Sequence, residues 1–210
     1  MGQRGSSPVR GRPFVPEARS AHNRVRIAQA AARLIAEHGI ADWSLAKRKA
    51  ARSLMLPERE PLPADDEVAA ALVEYHALFG GAEHAATLRA QRAEALRWMV
   101  KLRQFAPLLA GGVAAGWATA HSDIRLELVA NDAKLVELAL LNAGVAYRAM
   151  QSDRDGAAEL FVDTPGAGLR LSVREPAEAR QRPRRDRHGN EEIRLDAEAV
   201  AALLGEEVRK

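Results

Sequence analysis

The hydrophobic period of this chain switches once, near Pro107, and the switch restricts the architectures open to it. Upstream, apolar residues recur at helical spacing. Val25, Ala28, Ala32, Ile35 and Ala36 form one stripe, and Leu88, Ala95, Trp98, Met99 and Leu102 form another. Downstream, Ile124, Leu126 and Leu128 alternate with Asp123, Arg125 and Glu127. That is the two-residue period of a strand with one buried face. Helices followed by mixed strands and helices predict an α+β fold. A helical N-terminal half is expected over 20–106, and a small mixed sheet with flanking helices over 107–206.

Punctuation residues divide the halves further. Residues 1–19, rich in Gly, Ser, Pro and Arg, are expected to form a disordered basic leader. Helices are expected from Ser20 to a Gly39 cap, and from a Ser44 cap to Leu54. A third starts at Asp65 or Asp66 and ends at Gly80–Gly81, and a fourth runs from Glu83 to Phe105. Pro57, Pro61 and Pro63 break the chain between the second and third. After the strand at 124–128, Asn131 or Asp132 caps a helix to Leu141. Strands follow at Val145–Met150, Glu159–Asp163 and Leu169–Val173, then a polar, Arg-rich loop over 174–196 and a last helix capped by Asp196.

Composition narrows the chemistry. Aromatics are only 4% of the chain against 47% hydrophobic residues, so Ala, Leu and Val must fill the core. The chain has no cysteine, which excludes disulfides, thiolate metal sites and a cysteine nucleophile. No stretch approaches the ~20 apolar residues that span a bilayer. A cytoplasmic protein without a membrane partner is expected. The net charge of +3 is concentrated in two segments, Arg4 to Arg19 and Arg180 to Arg187, of a kind that can hold phosphates but is commonly just solvated. The six histidines show no zinc-ligand spacing. Ser122 has no recognisable His and Asp partners for nucleophilic work.

The stretch Leu108 to Asp132 carries the most chemical information. An apolar strand runs into Gly111 and Gly112, where the backbone turns freely and a ligand can approach closely. A short helix beginning there would point free amides at a phosphate. About ten residues later, Asp123, Arg125 and Glu127 share one strand face. Trp117, between the two, is read as anchoring the loop, with base stacking as the other reading; His121 is read as a loop residue.

This arrangement resembles the nucleotidyltransferase superfamily, on Ala110-Gly111-Gly112 followed by Ser122-Asp123-Ile124. From about Asn23 to Leu204 the chain also resembles a group of uncharacterised proteobacterial nucleotidyltransferase-like proteins. That likeness rests on the AKRKAAR segment Ala46–Arg52 and on AKLVELALLN after Asn131–Asp132. The resemblance implies binding of a nucleoside triphosphate, with strand acids holding Mg²⁺ for nucleotidyl transfer. It implies that Gly111 and Gly112 hold phosphate, and that Asp123, assisted by Glu127, is the catalytic metal ligand.

The family pattern is broken at two positions. Arg125 stands where the second acid belongs, and a guanidinium repels Mg²⁺. Glu127 lies about 6.8 Å further along, two residues at about 3.4 Å each. The strand expected to give a third acid offers Arg170 and Ser172; Glu159 and Asp163 are the substitutes. Arg125 and Arg170 therefore suggest a cleft that holds phosphate by guanidinium, with transfer weak or lost. The alternative is a non-catalytic nucleic-acid-binding or regulatory protein acting through its basic segments. A superficial likeness of Arg24 to Leu45 to the opening of a TetR-type helix-turn-helix repressor belongs to that alternative.

Overall fold

The structure, a computed structural model, describes residues 16–40, 42–150, 158–179 and 193–207. Most of the basic leader and the Arg180–Arg187 run lie outside these residues. The fold is α+β, with helices in the N-terminal half and a five-stranded mixed sheet in the C-terminal half.

Helix α1 (Pro16–His38) begins four residues earlier than the sequence pattern suggests. Its buried stripe is Ile27, Ala28, Ala31, Ala32 and Ile35, while Val25 is half exposed. The stripe is turned slightly from the expected one, with Ala31 buried and Val25 not. Helix α2 (Trp43–Ser53) is capped by Asp42, whose carboxylate accepts from Leu45 N–H at 3.0 Å, in place of the expected Ser44. Helix α3 (Asp65–Tyr75) has Ala64 at its N-cap, and Glu67 accepts from the Ala64 N–H at 2.7 Å. Asp65 and Asp66 sit in the first turn, where their charge complements the helix dipole. Lys47, on the basic face of α2, is largely spent on structure: it bonds Pro63 O at 3.0 Å and Asp65 at 2.7 Å.

Gly80–Gly81 does not end the helical run. A π-helical turn (His76–Gly80) joins α3 to α4 (Gly81–Lys101). The expected 20–106 unit divides at this turn. Helices α1 to α3 share one core, built on Ile27, Ala46, Ala50, Val68 and Leu72. Helix α4 gives Leu88, Ala95 and Met99 to the core of the sheet. Its periodicity fixes a helix but not the core that the helix joins.

The strands are β1 (Leu108–Ala110), β2 (Ile124–Val129), β3 (Arg148–Met150), β4 (Ala158–Asp163) and β5 (Gly168–Arg174). Their order is β1-β2-β5-β4-β3; β2 and β5 run parallel and the other pairs antiparallel. Between them lie α5 (Gly111–Ala115) and α6 (Ala133–Asn142), the latter capped by Asp132. Helices α7 (Pro176–Ala179) and α8 (Ala197–Glu207) follow β5, and α7 falls where only loop was expected. Asp196 caps α8 through Ala199 N–H at 2.8 Å. Register sorts the faces. Leu109, Leu126, Leu171 and Leu160 lie side by side across four strands and are buried. The opposite face carries Ala110, Arg125, Arg170 and Phe161 in the next row.

Among the described residues, no helix is long and apolar enough to cross a membrane.

Candidate functional site

The polar face of the sheet brings the strand residues singled out above together. Ala110 pairs with Arg125, so the glycine turn begins directly against that arginine. Gly111 takes a positive φ of 70°, and a Cβ there would stand 3.9 Å from Arg125 Cβ. Gly112 is buried, and the space its missing side chain leaves belongs to Trp117: a Cβ would come within 2.7 Å of the indole. Close approach is required at Gly112, but the group that approaches is a ring of the protein itself. Gly112 O accepts from the amides of Gly116, Trp117 and Ala118, which closes the turn tightly.

The turn is held from behind by α4. Arg92 Nε donates to Val113 O at 3.2 Å, and Gln91 Nε2 donates to Thr119 O at 2.8 Å. His84 Nε2 lies 3.2 Å from Gly116 O. Both Gln91 and Arg92 are buried, so α4 carries a polar stripe devoted to this loop. Trp117 then packs on Trp43 of α2 with centroids 4.9 Å apart, and His121 lies over Gly39 at the end of α1. Trp117 thus anchors the loop, packing against the core of α1 to α3.

Asp123 and Glu127 lie on the polar face, and each is already engaged by arginine. Arg170 Nε donates to Asp123 Oδ2 at 2.8 Å, and its other end lies 3.8 Å from Glu159. One guanidinium therefore stands between two carboxylates. Gly168 permits this seat, since a Cβ there would overlap both Asp123 Oδ1 and the Phe161 ring. Glu127 is buried and held by two further arginines, Arg174 at 2.9 Å and Arg194 at 2.9 Å. Arg174 comes from the end of β5. Arg194 arrives where Leu195 bridges to Leu109 at the outer edge of β1.

Arg174 and Arg194 were not singled out by sequence, since they lie 47 and 67 residues from the acid they meet. Asp163 pairs instead with Arg148 of β3, toward the far edge of the sheet. Phe161 is a second addition: it lies opposite Arg170 in register, with the Arg148 guanidinium 4.9 Å from its ring centre.

This donor set does not fit a divalent ion. A metal bound through Asp123 or Glu127 would have to displace guanidinium groups that already neutralise them. Comparison with protein-family models gives no match, and none of the curated proteins matches at a significant level.

A second cluster lies at the π-turn, behind the loop. The imidazoles of His76 and His84 stack in parallel, 3.7 Å apart. They line a cavity of about 470 Å³ together with Val73, Leu88 and Arg89. Burial, with His84 adjacent, pushes the His76 imidazole down from 6.5 to about 4. The unfolded chain takes up this proton near 6.5, and the folded one only near 4. The stabilising contribution is therefore complete above pH 6.5 and is lost as the pH falls toward 4. Allowing for solvent screening of this half-buried ring, the loss is on the order of 1 kcal/mol. Thermal melts across that window are expected to show the fall, and His76→Phe to flatten it.

Proposed function

We propose that this protein is a nucleotidyltransferase-like, nucleotide-binding protein whose polar sheet face holds phosphate by guanidinium groups and has lost nucleotidyl transfer. The observation that carries the reading is Arg170, lodged between Asp123 and Glu159 where a transferase would require free carboxylates. A fixed cation supplies charge but offers no open coordination position for a triphosphate oxygen or a nucleophile. The resulting chemistry is binding by planar, bidentate donors, which suit phosphate oxygens. Arg125 beside the Gly111 turn supports phosphate as the ligand.

The test is calorimetric titration with the four nucleoside triphosphates, in Mg²⁺ and in EDTA. At least one is expected to bind, with affinities in the two buffers agreeing within about twofold, roughly 0.4 kcal/mol. Pyrophosphate release is expected to stay at background. Mg²⁺-dependent pyrophosphate release overturns the loss of transfer; absence of binding in both buffers overturns the ligand.

A further inference from the structure

Helix α6 is apolar on both of its faces. Val136 and Leu140 are fully buried against the sheet. On the opposite side Leu135, Leu138 and Leu141 are 48%, 54% and 61% exposed. A stripe of leucines facing water, here interleaved with Lys134 and Asn142, is a candidate interaction surface. We propose that this stripe pairs with the same stripe of a second copy of the chain, antiparallel about a twofold axis through Leu138.

Two features of α6 select a second copy as the occupant. The first is symmetry. An isologous contact demands a surface that maps onto itself when reversed. The exposed leucines are placed three residues before and three after Leu138, so reversal sets Leu135 against Leu141 and Leu138 against itself. The second is charge. Lys134 lies in the first turn, at the positive end of the helix dipole, and the last turn carries no basic residue. Antiparallel pairing carries each Lys134 to Asn142 at the C-terminal end of the other helix, where a cation is favourable. The acids of the helix do not oppose this: Glu137 is turned to the Tyr147 hydroxyl at 2.8 Å, and Asp132 is occupied as the N-cap.

Three leucines from each copy form a contact smaller than the roughly 1,200 Å² of a stable interface, so the dimer is weak. A dissociation constant on the order of 100 μM is expected.

The natural chain lacks cysteine, which makes the geometry directly testable. Leu138→Cys introduces a single thiol on the axis and is expected to give a disulfide-linked dimer on mild oxidation. Leu141→Cys alone is expected to cross-link poorly, whereas mixing Leu135→Cys with Leu141→Cys restores the link. In sedimentation experiments the wild-type mass is expected to rise with concentration. Leu138→Glu is expected to stay monomeric with an unchanged melting curve, because the position is exposed. The proposal is overturned if the wild type sediments as a monomer up to about 0.5 mM, well above the expected constant. That is also the result for a face reserved for another protein. Equal self-cross-linking by Leu138→Cys and Leu141→Cys overturns the axis.

Discussion

Glu127→Ala is expected to destabilise the protein by about 3–5 kcal/mol, the usual result of breaking a buried ion pair from one side. The Glu127 side chain is 7% exposed, and both arginines that hold it are mostly buried. Removing the carboxylate leaves two poorly hydrated guanidinium groups close together without the acid that both hold. Much of the loss is the desolvation cost of those cations, not the worth of the contact itself. Glu127→Gln keeps the shape and one acceptor but loses the charge, so it should fall between the wild type and Glu127→Ala. Urea unfolding at pH 7 measures both, and a loss under about 1 kcal/mol for Glu127→Ala contradicts this account of the face.

Leu171→Ala is expected to cost about 2–5 kcal/mol, for a different reason. Leu171 is fully buried on the central strand, directly between Leu126 of β2 and Leu160 of β4. Its neighbours belong to paired strands and cannot close the void without breaking register. The cavity penalty therefore adds to the lost transfer energy. Val25→Ala removes a similar apolar group from a half-exposed site on α1 and should stay within about 0.5 kcal/mol. Comparing the two by urea midpoint separates the core from the periphery, and equal effects would place the core elsewhere.

The fold class was legible because the period switch at Pro107 is a direct image of packing. Alternation over Asp123 to Leu128 states which face of β2 is buried, and the parallel partner carries the same alternation over Gly168 to Arg174. The allegiance of α4 was not legible: a helical stripe shows that one side is covered without saying by what. Caps were resolved to within a residue or two, since Asp42 and Ser44, or Ala64 and Asp65, lie within one turn of each other. At the site, Arg170 was brought beside Asp123, Arg125 and Glu127 only by the family resemblance, whereas those three could be assigned to one face from spacing. The ion pairs from Arg174 and Arg194 could not, because they depend on the crossover to β5 and on the edge of β1. The double glycine illustrates the limit of a motif. Gly112 signals a close approach, and only the three-dimensional arrangement shows Trp117 making it.

The commitment of the strand carboxylates to arginine can be measured without any nucleotide. Titration of the protein with Mn²⁺, following the free ion by electron paramagnetic resonance, reports directly whether Asp123, Glu127 and Glu159 are available to a divalent cation. Uptake is expected to be weak and non-saturating up to about millimolar Mn²⁺, as for scattered surface carboxylates. One saturable site of micromolar affinity, abolished by Asp123→Asn, would show that the guanidinium groups yield to metal.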